Sequence, residues 1–258
     1  MDTDYSAVAR LLASPARSTV VNVLMTGRPM AAGELARLAG ISASTMSGHL
    51  GELVSGGLVT VITVGRHRYY RLANAEVASA LEALSMICPV VPVRSLSQAS
   101  GQRSLRTARF CYDHLAGAVG VALLTRLRAL GWLAATEGTG SVAGQDFEVT
   151  ATGEPALAEI GIDLESCRRM RRHFARSCLD WTEREGHLAG ALGAAMAAAL
   201  ADQGWLTPQR VGRGLAVTSH GERRLQAVFG ISGGDLESSP PPGEGQAHAK
   251  AGRAPNLP

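Results

Sequence analysis

The chain has 258 residues, 46% of them hydrophobic, which is enough for two domains with buried cores. Its formal net charge is only +3, so the protein is neither strongly acidic nor strongly basic. The overall charge therefore does not indicate what kind of partner it binds. No run of eighteen apolar residues occurs, and the first residues carry acids where a signal peptide needs basic residues. We therefore expect no membrane association, a cytoplasmic location and reduced cysteines.

The first 72 residues contain a recognisable order of elements. Apolar residues at helical spacing predict two helices over residues 5 to 26, broken at Ser14-Pro15. A third helix, Ala32 to Ala39, ends at Gly40, and Ser42 begins a fourth. Two alternating apolar strands joined by a short turn come next. This order is typical of a winged helix-turn-helix, a fold that places one helix in a DNA major groove.

The fourth helix and the hairpin tip carry the residues expected to contact DNA. Small hydroxyl residues at a helix start allow close approach to phosphates and base edges, and arginines at a wing tip suit the phosphate backbone or the minor groove. A solvated helix face and a solvated loop are the alternatives. The predicted contacts are Ser42, Ala43, Ser44, Thr45, Ser47 and His49 on the helix, and Arg66, His67 and Arg68 on the wing.

The second half contains an internal repeat that follows a predicted linker. A helix from Ala75 to Ile87, capped by Asn74, precedes the Pro- and Ser-containing linker, residues 89–103. The repeat consists of similar short segments in the same order. They are RFCYDHLAG from Arg109 against RSCLD from Arg176 and HLAG from His187, Gly-Trp-Leu at 131 and 204, and Val-Thr at 149 and 217.

These segments predict a mainly α protein with small β-wings, of class α+β. We expect an N-terminal winged helix-turn-helix, residues 1–88, that binds DNA and dimerises, followed by a C-terminal domain of two winged-helix-like repeats, 104–163 and 164–231. Residues 232–258 are rich in Gly, Pro and Ser and predict a disordered tail. Each repeat is expected to begin with a helix, on which Cys111 and His114 would share one face.

The repeats also supply the candidate effector-sensing residues, which are Cys111, Asp113, His114, Cys178, Trp181 and His187. Thiol oxidation, binding of a soft or borderline metal, and enclosure of a small organic molecule are all open. A purely structural role is the fourth alternative, because cysteine packs well as a small buried residue. The spacing matches no structural zinc signature, so the sequence assigns no metal site and no cofactor. The aromatic walls of an organic-ligand site would be Phe110, Tyr112, Trp132, Trp181 and Trp205.

Residues 5 to 90 resemble the ArsR family of bacterial winged-helix repressors. The resemblance is carried by Leu11 to Arg17, Glu34-Leu35-Ala36, Ser42 to Leu53, Gly57-Leu58-Val59 and Arg66 to Leu72. It implies a homodimer, formed through the first helix and residues 75–87, that represses transcription until an effector relieves it. The family's metal-binding positions on the third and last helices carry no cysteine or histidine here, so those sites are not transferred to this chain.

The predicted function is that of a homodimeric repressor that binds a near-palindromic operator in double-stranded DNA and senses an effector through its C-terminal domain. The chain has no nucleotide-binding loop, GxSxG motif or HExxH motif, so an enzyme is not expected. The alternative is a protein-interaction or thiol-chemistry module whose winged helix does not bind DNA.

Overall fold

The computed structural model of the chain describes residues 3–89, 92, 95–136, 144–209 and 212–236. These residues form an α+β structure of helices and small antiparallel sheets. Within the same ranges no helix is both long enough and apolar enough to cross a membrane. The predicted tail lies almost entirely outside the described residues. Its first part, Gly233–Leu236, forms a short 3-10 helix whose Leu236 is buried.

The N-terminal part is a winged helix-turn-helix, as predicted. A three-stranded antiparallel sheet in the order β1-β3-β2 lies beside five helices. The helices are α1 (Tyr5–Leu12), α2 (Pro15–Leu24), α3 (Ala32–Ala39), α4 (Ala43–Ser55) and α5 (Ala75–Ser85), and the strands are β1 (Met30–Ala31), β2 (Val59–Val64) and β3 (His67–Leu72).

Local chemistry explains where these elements begin and turn. Pro15 occupies the first turn of α2, where its missing N–H leaves no intrahelical partner unsatisfied. The Ser42 hydroxyl accepts a hydrogen bond from the Thr45 N–H at 3.1 Å and caps α4, and the Asn74 side chain caps α5 in the same way. Gly65 has φ +59° in the two-residue turn between β2 and β3, a conformation that glycine adopts without strain.

The C-terminal part begins earlier than predicted. Helix α6 (Leu96–Thr107) occupies residues assigned to the linker, so the expected extended segment over 89–103 is wrong for its second half. The Ser95 hydroxyl caps this helix by accepting a hydrogen bond from the Gln98 N–H, a local signal for a helix start. The first copy of the repeat then contains β4 (Arg109–Cys111), β5 (His114–Ala116), α7 (Ala118–Ala129), β6 (Leu133–Ala135), β7 (Phe147–Val149) and α8 (Gly153–Glu159).

The second copy repeats the same order of elements. After α9 (Leu164–Arg169) come β8 (Arg176–Leu179), β9 (Gly186–Ala189), α10 (Gly190–Asp202), β10 (Leu206–Pro208), β11 (Leu215–Val217) and α11 (Ser219–Phe229). Each copy therefore starts with a β-hairpin, which corrects the expectation that the Cys and His of each copy lie on a helix. Cys111 pairs with His114 across one hairpin, and Cys178 pairs with His187 across the other, so the cysteines hold equivalent places in both copies.

The two copies interlock around their first hairpins. Helix α7 of the first copy packs on β9 of the second, and α10 of the second packs on β5 of the first. A Cβ atom on Gly120 would lie 2.4 Å from the Leu115 carbonyl oxygen and 3.4 Å from the His187 Cβ. A Cβ atom on Gly193 would lie 2.4 Å from the Leu188 carbonyl oxygen and 3.3 Å from the His114 Cβ. Glycine at these positions lets each helix approach the histidine of the other copy.

The first hairpin of the repeat also belongs to the core of the N-terminal part. Cys111 and Ala116 are buried together with the side chains of α2, α3 and α4, and Cys178 packs against this cluster. The Tyr112 N–H donates a 2.7 Å hydrogen bond to the Met25 carbonyl oxygen at the end of α2. The two parts of the chain are thus joined by main-chain bonding as well as by side-chain packing.

Candidate functional site

The start of α4 is an exposed, hydroxyl-rich surface. Met46, Leu50 and Leu53 are fully buried against α2, α3 and β2, which turns the opposite face of the helix outward. Ser42, Ala43, Ser44, Thr45 and Ser47 are all exposed. The Ser42 hydroxyl lies 2.9 Å from the Ser44 hydroxyl and 2.8 Å from that of Thr45, so the hydroxyls form one polar group at the positive end of the helix.

His49 does not share this exposure. Its side chain is only half-exposed, and its Nδ1 atom is buried without a hydrogen-bond partner in the described part of the chain. His49 therefore stays a predicted DNA contact, and it is less exposed than the residues at the start of α4.

The tip of the wing is exposed as well. Val64 pairs with His67, and the turn between them places Arg66, His67 and Arg68 in exposed positions at the tip. The arginines carry positive charge, since the guanidinium group stays protonated at any physiological pH. The structure therefore places the predicted wing residues where they can approach a polyanion. Arg17 connects α4 to the end of α1. It forms an ion pair with Glu52 of α4 and donates hydrogen bonds to two carbonyl oxygens near the end of α1.

A buried ionic network, which the sequence did not indicate, lies between the two parts of the chain. The Arg109 guanidinium is fully buried, 3.2 Å from a Glu82 carboxylate oxygen and 3.1 Å from one of Asp180. Arg213 pairs with the second oxygen of Glu82. The two arginines balance the two acids, and they hold the pKa of the Glu82 carboxyl below its usual value despite its burial. The partners of Glu82 lie 27 and 131 residues away, so only long-range contacts identify them.

The second cluster of polar groups joins the cysteines and histidines of both copies. The sulfur atoms of Cys111 and Cys178 and one ring nitrogen from each of His114 and His187 all lie within 4.8 Å of one another. Three of the four residues are buried and Cys178 is half-buried. The imidazole rings are stacked, with centroids 5.1 Å apart. The cluster thus lies where the two copies meet, and each copy contributes one Cys/His pair.

A carboxylate lies behind each imidazole. Asp113 Oδ1 is 3.2 Å from His114 Nδ1, and Asp180 Oδ2 is 3.5 Å from His187 Nδ1, a length at which an ion pair is allowed but a hydrogen bond is poor. The Nε2 atoms of both rings are buried and lack a hydrogen-bond partner within the described residues. The Nδ1 atom of His187 also lacks a hydrogen bond but faces Asp180, so the two Nε2 atoms are the ring nitrogens with no polar neighbour assigned.

The electrostatics of the cluster follow from burial and from these neighbours. A hydrogen bond with Cys178 and burial raise the pKa of the Cys111 thiol to about 12. Burial opposes the charged form of His114, but the Cys111 sulfur and the Asp113 carboxylate outweigh it and raise the pKa of that imidazole to about 9. Burial likewise opposes ionisation of Asp113, yet hydrogen bonds from His114 and Arg172 lower the pKa of its carboxyl to about 2.

The aromatic residues proposed as walls of an organic-ligand site lie in different surroundings. Trp205 is fully buried and, like Trp132, packs on Phe229. Trp181 lies against Arg109, whose guanidinium carbon is 5.2 Å from the ring centroid. A cleft of about 420 Å³ in this part of the molecule contains none of these five aromatic side chains in its lining. Trp205 and Trp132 belong to the hydrophobic core of the C-terminal part, and the organic-ligand site stays a prediction.

An exposed helix-turn-helix followed by an arginine-tipped wing defines a winged-helix DNA-binding protein. A family model described as a helix-turn-helix domain matches residues 12–62. An uncharacterised helix-turn-helix type transcriptional regulator, YdfF of Bacillus subtilis strain 168, is 40% identical over 222 residues, which cover 86% of this chain and 95% of YdfF.

The chain belongs to the family of helix-turn-helix transcriptional regulators. Solved structures similar to it include the cadmium sensor CMTR of Mycobacterium tuberculosis, with 31% identity over 35% of this chain and 93% of that chain and a TM-score of 0.29. The homodimeric winged helix-turn-helix domain of Mb0332 from Mycobacterium bovis shows 26% identity over 34% of this chain and 87% of that domain, with a TM-score of 0.30.

Proposed function

We propose that the protein is a homodimeric repressor that binds a near-palindromic operator in double-stranded DNA through α4 and the wing. Residues 1–88 form the DNA-binding and dimerisation unit in this proposal, and the repeats in residues 104–231 respond to an effector. The observation that carries it is the open surface made by the hydroxyl-lined start of α4 and the tip of the wing. Both are exposed in the same domain, and the described residues of the C-terminal repeats leave them uncovered.

The DNA-binding part of the proposal assigns different work to helix and wing. Arg66 and Arg68 neutralise phosphates, which strengthens binding to every sequence and makes it dependent on salt. Ser44 and Thr45 approach base edges and set sequence preference. Replacing both wing arginines by alanine is therefore expected to weaken binding to all duplexes and to lower the slope of log K against log salt by about 1.8, about 0.9 for each lost phosphate contact.

The test is a fluorescence-anisotropy titration of a duplex from the protein's own promoter region at several salt concentrations. The matched control is Arg171→Ala with Arg223→Ala, which removes the same charge from exposed positions in the C-terminal repeats. An equal loss in both double variants would show that net charge, and not the wing, governs binding. If the wild-type protein shows no salt-dependent binding to any tested duplex, that result would instead favour a protein-interaction module.

Dimerisation is proposed through α1 and the end of α5. No residue of α1 is buried, and it exposes 80% of Tyr5 and 44% of Val8. Leu84 and Met86 are partly exposed at the end of α5, and Ile87 just beyond it is 80% exposed. Large apolar side chains left exposed on both helices are what an interaction site would bury. A twofold dimer would present two copies of α4 to successive major grooves.

A single charge placed in this surface tests the dimer. Val8→Asp is expected to raise the dimer dissociation constant at least about tenfold, because a buried unpaired carboxylate is strongly unfavourable. Sedimentation velocity over a range of concentrations measures it. Met170→Asp, which alters an exposed apolar residue of the C-terminal part, should leave the dimer intact. Equal behaviour of the two variants would contradict this interface.

A further inference from the structure

We propose that Cys111, His114, Cys178 and His187 form a tetrahedral site for a thiophilic divalent cation, with Zn²⁺ as the reference ion. Two thiolates and two imidazoles are a donor set that zinc prefers in closed, four-coordinate sites. The ligand atoms already lie within 4.8 Å of one another. A tetrahedral zinc site has ligand atoms about 3.3–3.8 Å apart, given bond lengths of about 2.0–2.3 Å, so the cluster needs to close by only about 1 Å.

The free imidazole nitrogens point to a ligand. A buried polar atom without a hydrogen bond is unfavourable, yet this cluster contains the unpartnered Nε2 atoms of His114 and His187. A metal bond would satisfy both. The carboxylates of Asp113 and Asp180 sit behind the opposite ring nitrogens, an arrangement that orients metal-bound histidines and makes them better ligands.

Charge balance also favours a divalent cation. The surrounding ionic groups cancel among themselves, since Arg172 pairs with Asp113 while Arg109 and Arg213 face Asp180 and Glu82. Metal binding requires both cysteines as thiolates, and these add two negative charges that the surrounding ionic groups do not compensate. A divalent cation makes the set neutral. The half-buried Cys178 leaves one side of the cluster open for the ion to enter.

The absence of a sequence signature has a structural explanation. Zinc motifs bring two ligands from one short segment, as in paired CxxC motifs. Here only Cys111 and His114 have such a spacing, across a two-residue turn, whereas a longer loop separates Cys178 from His187 in the second hairpin. The four ligands meet only because the copies interlock, so neither copy contains a complete site.

Cobalt titration tests the assignment directly. Reduced, chelator-treated full-length protein is titrated with Co²⁺, and the expected result is one ion per chain with the d–d bands of tetrahedral cobalt and a thiolate-to-cobalt charge-transfer band. Added Zn²⁺ should displace the cobalt. The double variant Cys111→Ser, Cys178→Ser should lose the charge-transfer band. The matched control Cys88→Ser, Cys167→Ser also loses two cysteines and should retain it, because neither residue belongs to the cluster.

A second variant tests the site with a change that is not expected to prevent folding. Asp113→Asn alters a partly exposed carboxylate behind His114 and is expected to weaken cobalt affinity by about 10–100-fold while preserving the circular dichroism spectrum. A reduced wild-type protein that shows no charge-transfer band would overturn the site. So would a band that survives in the Cys111→Ser, Cys178→Ser variant. A disulfide between these two cysteines in a chain whose reduced form binds no cobalt would replace the metal site by a thiol switch.

The position of the site suggests how occupancy reaches the DNA-binding part, a step that rests on the proposed function. Cys111 adjoins Tyr112, whose N–H is bonded to Met25 at the end of α2, and α2 packs against α4. Closing the cluster therefore pulls on a segment fixed to the helix that supports α4. Zinc-loaded and chelator-treated protein should differ in affinity for the promoter duplex by at least about fivefold.

The Cys111→Ser, Cys178→Ser variant should bind the duplex with the same affinity in zinc and in chelator. Equal affinities of loaded and metal-free wild-type protein would overturn the coupling. Failure of both forms to bind any duplex would overturn the proposed function instead, and the cobalt spectra would still decide the metal site by themselves.

Discussion

The two copies of the C-terminal repeat share one plan, but they stand in different surroundings. Asp113 and Asp180 occupy equivalent places beside the metal-ligand candidates. Asp113 is partly exposed and pairs with Arg172 at the surface. Asp180 is fully buried, pairs with Arg109, and accepts a 2.6 Å hydrogen bond from the Gly117 N–H. The comparison shows that duplication preserved the histidine–carboxylate geometry while the ionic partners changed with the neighbouring structure.

The extra loop of the second copy accounts for part of this difference. Asp180 Oδ1 accepts hydrogen bonds from the Thr182 N–H at 2.8 Å, the Thr182 hydroxyl at 2.6 Å and the Glu183 N–H at 3.2 Å. These donors belong to the insertion between β8 and β9, which the first copy lacks. The insertion therefore compensates a carboxylate that would otherwise be poorly tolerated at full burial. Arg109 and these donors hold the pKa of the Asp180 carboxyl far below its usual range, although burial opposes this.

The largest expected effect on stability appears when the equivalent carboxylate is removed from one copy or from the other, in two separate variants. Asp180→Asn leaves a positive charge of the buried network unpaired and is expected to destabilise the fold by about 3–5 kcal/mol. Asp113→Asn breaks a partly exposed pair and should lower stability by at most about 1 kcal/mol. Urea unfolding in the presence of chelator measures both free energies without any contribution from a metal. Similar losses in the two variants would show that the surroundings of the two aspartates do not differ energetically.

The sequence predicted the N-terminal part well because its signals are local. Pro15, Gly40, Ser42 and Asn74 each mark a helix boundary through bonding within a few residues, and the alternation in β2 and β3 is long enough to identify strands. The exposed start of α4 then follows from helical periodicity alone. Periodicity assigns a face but not the exposure of each residue on it, and His49 is only half-exposed.

The C-terminal part was harder for physical reasons. Strands of three or four residues, such as β4 and β5, are too short to show alternation, and the Gly-Ala-Val-Gly that follows reads as a continuing helix. The sequence did identify Cys111, His114, Cys178 and His187 as related pairs. It did not bring the pairs together, because their meeting depends on packing between copies more than sixty residues apart. The ionic network of Glu82 is of the same kind, since Arg213 lies 131 residues away.

The smallest expected effect concerns a pair of hydrogen bonds that is the same in both copies. In the first copy, the Thr150 hydroxyl donates to the Gly131 carbonyl oxygen at 2.5 Å and accepts from the Gly153 N–H at 3.1 Å. In the second copy, the Thr218 hydroxyl donates to the Gly204 carbonyl oxygen at 2.7 Å and accepts from the Gly221 N–H at 2.9 Å. Both threonines are half-buried, so each links the Gly-Trp-Leu turn to the start of the last helix in the same way.

Because the two sets of contacts match, Thr150→Ala and Thr218→Ala should each destabilise the protein by about 1 kcal/mol, the usual effect of losing a helix cap. Their free energies of unfolding, measured by urea denaturation, should agree within about 0.5 kcal/mol. Thr→Ser at either position retains the hydroxyl and should restore most of the loss. A large effect at one threonine with none at the other would mean that the second hairpins have diverged as the two aspartate sites have. Equal effects would indicate that the two copies differ mainly in the hairpins that carry cysteine and histidine.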